Sequence, residues 1–162
     1  MKAMSISTRL IRFDGGDTTA FAETIRRFRD SIIEPRLRTL PDADARRLAV
    51  RADRYLTEVA IAAIADDLEP DELRSATVEI RDRLDRSVEI GRALLELETR
   101  DPEVTAEVGL CLAYRASIAD DDDAANDDLI EASRLLELSR EQGPGGPLQN
   151  KLSRQLDSLA AS

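Results

Sequence analysis

Apolar residues recur at helical spacing along most of the chain, and this period limits the possible folds more than any motif does. Aromatic residues make up only 3% of the sequence, so a core has to be built from aliphatic and small side chains. Such a pattern is typical of amphipathic helices that pack against one another. The longest apolar face lies within residues 42–68 and carries Ala45, Leu48, Ala49, Ala52, Tyr55, Leu56, Val59, Ala60, Ala63 and Ile64.

The helical spacing of apolar residues, together with the positions of helix-breaking residues, predicts an all-α fold. We expect an antiparallel bundle of four to five main helices with a short hinged C-terminal helix. The first helix carries Phe21, Ile25, Phe28 and Ile32, and Pro35 ends or kinks it before a connector. We expect the five main helices at residues 18–34, 42–68, 70–99, 102–119 and 124–141.

Two segments flank the predicted bundle of residues 18–141. Residues 1–17 form an N-terminal extended segment and turn, in which residues 6–13 are the only candidate for a short strand. Residues 142–147 contain the strongest helix breakers and form a Gly/Pro hinge. Residues 148–162 form a leucine-striped helix that we expect to dock on its own bundle or on a partner copy. Its docking residues are Leu148, Leu152, Leu156 and Leu159.

The composition excludes several classes of chemistry. The chain has no histidine and one cysteine, Cys111. Without histidine, a Ser-His-Asp or Cys-His nucleophile and a histidine-ligated zinc site are excluded. A single cysteine excludes an internal disulfide and a multi-cysteine zinc site. We therefore predict no catalytic residue, no metal site and no cofactor from the residue types alone.

Charge is unevenly distributed along an acidic chain. The net charge is −10, but residues 1–60 carry 12 bases and 9 acids, whereas residues 61–162 carry 11 bases and 24 acids. Only two of the 23 bases are lysines, a usage that, together with many Asp and Ala residues, indicates a GC-rich genome and fits a halophile-like composition. The longest apolar run, residues 59–65, is far too short for a membrane span. We expect a cytoplasmic protein that has no contact with membranes.

The acidic segment of residues 118–131 resembles a calcium loop in length and in its final glutamate. The EF-hand pattern needs glycine at its sixth place and an oxygen ligand at its fifth, where this chain has Ala125 and Ala124. We therefore interpret the segment as a hydrated connector. Its aspartates lie near the positive end of the following helix, where carboxylates are favourable.

Two short acidic fragments resemble the E-x-x-E and E-x-x-D metal motifs of all-α nucleotide pyrophosphatases of the MazG type. They are Glu69-Pro70-Asp71-Glu72 and Glu98-Thr99-Arg100-Asp101. The resemblance implies a magnesium-dependent enzyme. Both fragments fall at opposite ends of one predicted helix, and the 26 residues between Glu72 and Glu98 span roughly 39 Å. A shared metal would therefore have to be assembled across chains.

Arginines cluster in the first two predicted helices. A basic patch in an otherwise acidic protein is typical of a phosphate-binding or acidic-partner surface. No aromatic residue lies among these arginines, so the patch lacks a platform for base stacking. The candidate residues are Arg26, Arg27, Arg29, Arg47, Arg51 and Arg54.

From these observations we expect a non-enzymatic helical interaction or regulatory module that acts through protein–protein contacts and self-association, with a homodimer as the expected assembly. Two alternatives remain open. One is a helical nucleic-acid-associated subunit that uses the arginine patch. The other is the magnesium-dependent pyrophosphatase-like enzyme assembled across chains.

Overall fold

Every regular element in the described part of the chain is a helix, which confirms the predicted all-α fold. The computed structural model describes residues 15–40, 42–64, 68–97, 100–144 and 146–161. The predicted strand at residues 6–13 lies outside these ranges. The α-helices are α1 (Gly15–Phe28), α2 (Glu34–Thr39), α3 (Ala43–Ala62), α4 (Pro70–Glu96), α5 (Pro102–Ser117), α6 (Asp122–Gln142) and α7 (Gly146–Ala160), and a π-helical segment (Arg29–Ile33) joins α1 to α2.

Two of the predicted boundaries need correction by more than one helical turn. Residues 36–39, predicted as a connector, are helical in α2, because proline is tolerated in the first turn of a helix. The second main helix ends at Ala62 rather than near residue 68. Non-helical backbone is favoured before Pro70, which begins α4. The N-terminal ends of α3 and α6 are capped by the side chains of Asp42 and Asp121, which accept hydrogen bonds from Ala45 and Asp123.

Pro35 explains the π-helical segment that precedes it. Its ring has no N–H to donate and would meet the carbonyl of Ser31 in a regular α-helix. The backbone instead widens by one residue per turn, so that the N–H of Glu34 donates to the carbonyl of Arg29, five residues earlier. The helix therefore continues past the proline. The changed register directs Arg29 and Ile33 into the interior.

The chain divides into two compact units, Met1–Arg83 and Leu84–Ser162, which we call unit 1 and unit 2. The boundary between them falls inside α4. The sequence analysis instead predicted one helical bundle at residues 18–141 and a separate C-terminal helix. The domain boundaries from the sequence stay a prediction. Each unit is described by itself below.

In unit 1, α1 and the π-helical segment pack against α3. Ala22, Tyr55 and Leu56 form a buried cluster, and Ile25 and Val59 pack against it. The ring of Phe21 meets the ring of Tyr55 edge-on, with centroids 5.6 Å apart.

A buried ion pair connects the same two elements. Arg29 and Asp53 are only 3% and 4% exposed. The Nε of Arg29 donates to Oδ1 of Asp53 at 3.1 Å, and its Nη2 donates to Oδ2 at 3.3 Å. The remaining Nη1 donates to Glu34 at 2.5 Å. This bidentate geometry satisfies the guanidinium as it leaves water, which is the condition for burying a charge.

In unit 2, α5 packs against α6 and α7. Twelve of the sixteen residues of α5 are buried. The C-terminal half of α4 buries Leu84, Val88 and Leu94. A side chain at Gly91 would overlap Val108 of α5, because its Cβ would lie 2.9 Å from a Val108 methyl. The two helices thus fill their interface by approaching closely at a glycine, without large aromatic side chains between them.

The last helix, α7, packs on α5 of its own chain. Leu152 is fully buried, and a Cβ at Gly109 of α5 would lie only 2.6 Å from its Cδ2. Leu148 is 8% exposed, while Leu156 and Leu159 are half-buried. Gly143, between α6 and α7, has a φ of 143°. Other residues rarely adopt this backbone conformation, so glycine favours the change of direction there.

The variant Asp53→Ala tests the buried ion pair of unit 1. It leaves the Arg29 charge buried without its bidentate partner, a change that typically costs about 3–5 kcal/mol. Urea unfolding followed by circular dichroism measures the loss. The double variant Arg29→Met/Asp53→Ala should recover most of it, because no charge remains buried. The control is Asp44→Ala, which removes an exposed carboxylate from α3. An equal loss of stability in Asp53→Ala and Asp44→Ala would contradict the interpretation.

The variant Gly109→Val tests the close contact between α5 and α7. Its added methyl groups would overlap Leu152, and such overpacking costs about 1–3 kcal/mol. We expect amide hydrogen exchange in residues 146–160 to accelerate more than exchange in α6. A second change, Leu152→Ala, should partly restore protection in the Gly109→Val background, and Ala124→Val on exposed α6 is the control. Unchanged protection of α7 would show that the contact does not hold it.

Candidate functional site

An exposed apolar row runs along α1 and into the π-helical segment. Phe21 is 38% exposed, Phe28 43% and Ile32 55%. Steps of seven and four residues bring these side chains to one side of a helix with 3.6 residues per turn. Ile25 completes the predicted face but is half-buried against Tyr55 and Leu56. The sequence therefore predicts the row, and the structure shows that α3 covers only one edge of it.

The exposed row extends towards α3. Leu48, which is 41% exposed, lies seven residues before Tyr55 and so shares the side of α3 that meets Phe21. We call Phe21, Phe28, Ile32 and Leu48 the apolar patch. Single exposed hydrophobic residues are common, but several on one side of a helix make this surface the candidate site.

The residues beside the row are suited to a docked helix. Thr24 and Ser31 are exposed, lie about 60° to 100° around the helix from the row, and carry no charge. The hydroxyl of Thr24 already donates to the carbonyl of Ala20 at 3.0 Å. A partner that covers the row would therefore not have to bury a charge. The apolar residues of the row follow one another at steps of four, three and four residues, from Phe21 to Ile32. Side chains at this spacing interdigitate between the two helices of a coiled coil.

The structure separates the predicted arginine patch into buried and surface members. Arg29 and Arg54 are 3% and 7% exposed, and Arg54 donates to Glu58 at 2.8 Å. Arg26 donates to Glu23 at 2.7 Å. Of the other three arginines, two are exposed, Arg27 and Arg51, and one is half-buried, Arg47. Phosphate binding requires guanidinium groups that reach solvent, so Arg29 and Arg54 are poorly placed for it. The nucleic-acid hypothesis stays a prediction that rests on the surface members.

The electrostatics of unit 1 centre on Asp53. Burial alone lowers the pKa of Arg29, but the charge and hydrogen bonds of Asp53 and Glu34 outweigh it and hold that pKa above its ordinary value. Burial also lowers the pKa of Arg83, while the negative charge of Asp53 opposes this effect. The charge of Asp53 thus favours two guanidinium groups, and its structural role is to hold Arg29 against α3.

Two buried hydroxyl groups lie near this cluster on α3. The oxygens of Tyr55 and Thr57 have no hydrogen-bond partner among the described residues. Burial raises the pKa of Tyr55, and the charge of Glu58 raises it further. The phenol therefore stays protonated at neutral pH. It is unsuited to act as a general base or a nucleophile.

The acidic segment begins α6 and is anchored to its neighbours by two ion pairs. Asp128 is buried and receives two hydrogen bonds from Arg115, at 2.8 Å and 2.7 Å. Glu131 receives two from Arg92, at 3.1 Å and 2.5 Å. Because the segment is helical from Asp122 onward, its carboxylates cannot wrap around an ion as a calcium loop does. The helix predicted from residue 124 begins two residues earlier, at Asp122.

The acidic fragments that resemble pyrophosphatase motifs lie at helix starts. Glu69 and Glu72 are exposed around the first turn of α4, and Asp101 caps α5 by accepting from the N–H of Glu103 at 2.9 Å. Glu98 lies outside the described residues. In the described ranges, no three acidic or cysteine side chains converge as metal ligands. The enzyme hypothesis, which needs a second chain, stays a prediction.

No protein-family model, curated protein or solved structure matches this chain. The candidate site therefore rests on the geometry of the chain itself. None of the helices in the described ranges combines the length and the apolarity needed to cross a membrane.

The variant Glu131→Gln tests the ion pair with Arg92 through its pH dependence. The hydrogen bond from Arg92 lowers the pKa of Glu131, although partial burial opposes this shift. A lowered folded-state pKa stabilises the fold above the unfolded pKa, near 4.5, and this stabilisation is lost as the pH falls through the folded value. We expect Glu131→Gln to be less stable than the unaltered protein at pH 7. The difference should shrink below pH 4.5, measured by urea unfolding.

The control for this pH series is Glu137→Gln, which removes an exposed carboxylate from the outer side of the same helix. A difference between Glu131→Gln and the unaltered protein that is the same at pH 7 and pH 3 would contradict a stabilising role of the ion pair.

Proposed function

We propose that this protein is a helical interaction module that self-associates through the apolar patch on α1 and α3. The observation that supports this proposal is the exposure of Phe21, Phe28 and Ile32 on one side of a helix. Each side chain leaves roughly two fifths to half of its surface in water. Covering such large apolar groups is favourable by about 25 cal/mol per Å² of buried area.

The contacts that hold α1 and the π-helical segment against α3 support the same proposal. The Arg29–Asp53 ion pair and the Phe21–Tyr55 ring contact fix α1 against α3 on the buried side of the row. A surface that is already ordered loses little conformational entropy when it binds. Phenylalanine is one of the aromatic residue types that are enriched in protein–protein interfaces. We place the module in the cytoplasm, as its composition suggests.

The variant Phe28→Asp tests this function. Sedimentation of the full-length protein over a range of concentrations should show a mass that rises with concentration. Phe28→Asp should remain monomeric, because the interface would have to bury a carboxylate. A dye that binds apolar surfaces should also bind the variant less than the unaltered monomer, since the patch is interrupted.

Ser75→Asp provides the matched control, because it adds the same charge at an exposed position of α4 in the same unit. Circular dichroism establishes that both variants fold. A monomeric mass for the unaltered protein at every concentration would refute self-association. An unchanged mass for Phe28→Asp would place the contact elsewhere.

A further inference from the structure

The apolar patch lies close to the point at which the described part of the chain begins. Phe21 follows Gly15, the first described residue, by six positions, and Phe28 follows it by thirteen. At 1.5 Å per residue, the two rings lie about 9 Å and about 20 Å along α1 from its first residue. The residues that precede Gly15 are therefore joined to the chain beside the patch, within the same unit 1.

The preceding residues supply the apolar side chains that a cover for the patch requires. We call residues 4–13 the N-terminal apolar segment. Half of its ten positions hold large apolar residues, which are Met4, Ile6, Leu10, Ile11 and Phe13. All three phenylalanines of this aromatic-poor chain fall within residues 13–28, so one belongs to the segment and two to the patch. The only charges of the segment are two arginines, whose long stems can cover apolar surface while the guanidinium stays in water.

We propose that the N-terminal apolar segment folds back on the apolar patch of its own chain and competes there with a second copy. This inference rests on the proposed function, because it names what regulates the same surface. The length of chain is sufficient for this contact. The fourteen residues before Gly15 span up to about 46 Å when extended, more than twice the distance from Gly15 to Phe28 along α1.

The covalent connection favours the chain's own segment over other occupants of the patch. Only Asp14 separates Phe13 from the first described residue. A short connection gives the segment a local concentration on the order of 1 mM at the patch, which a second copy reaches only in a very concentrated sample. The exposed residues beside the row, Thr24 and Ser31, carry no charge, so the cover does not bury one there.

Self-association is weakened by this cover, because a second copy binds only those molecules whose patch is uncovered. The apparent dissociation constant rises by the inverse of the uncovered fraction. A patch that is covered in about nine molecules out of ten thus associates about tenfold more weakly than a bare patch. Loss of the segment's apolar side chains should therefore make the patch both more accessible and more adhesive.

Thiol labelling of the full-length variant Thr24→Cys tests the cover. The new thiol lies beside the row, whereas the natural thiol of Cys111 is buried. Labelling is measured at a concentration at which sedimentation shows only the monomer. Adding Ile6→Ser/Leu10→Ser should accelerate the labelling of residue 24 by about tenfold, because the patch is no longer covered. Without the Thr24→Cys change, the same double variant should self-associate at about tenfold lower concentration than the unaltered protein.

Two controls accompany this experiment. Ser5→Ala/Ser7→Ala alters the same segment but keeps its large apolar residues, so labelling of residue 24 should not change. A thiol introduced by Ser75→Cys, at an exposed position of α4, should react equally with and without the segment change.

The outcomes separate this inference from the proposed function. Equal labelling of residue 24 with and without Ile6→Ser/Leu10→Ser overturns the cover, whatever the masses are. Protection that grows with protein concentration also overturns it, because a second copy then covers the patch. Faster labelling of the segment variant combined with a monomeric mass at every concentration, for this variant and for the unaltered protein, supports the cover while self-association fails.

Discussion

Pairing of a buried carboxylate with an arginine is the constraint that both units share. A charge removed from water is tolerated only when it is fully hydrogen-bonded. Arg29 meets Asp53 across 24 residues of sequence, and Arg115 meets Asp128 across 13. Each pair joins two helices. Helix packing in this protein must therefore satisfy arginine geometry as well as fill apolar space, and a shift of either helix would leave a charge unpaired.

The apolar packing adapts to the shortage of aromatic residues. Helices approach closely where glycine or alanine faces a branched side chain, as Gly109 does with Leu152 and Gly91 with Val108. A larger residue at either glycine would separate the helices. The three phenylalanines of the chain include Phe21 and Phe28, which are both exposed. The protein thus leaves two of its three phenylalanines partly exposed, which is why we assign them to an interface.

Local sequence signals predicted the helices well, because periodicity, caps and breakers act within a few residues. Pro70 and Pro102 mark helix starts that the sequence places correctly. The helical continuation through Pro35 was missed, since a proline normally ends or kinks a helix. It is possible here because the backbone widens before the ring, so that the N–H of Glu34 reaches the carbonyl of Arg29.

The sequence alone determined the all-α class, the absence of histidine chemistry and the presence of apolar rows on the helices, because these follow from residue types and their spacing. Only the tertiary structure decided which rows are covered. The face predicted from Phe21 to Ile32 is covered along one edge, and Arg29 and Arg54 are buried rather than displayed. Burial depends on which helix lies alongside, and that is set by packing between residues distant in sequence, which no local pattern encodes.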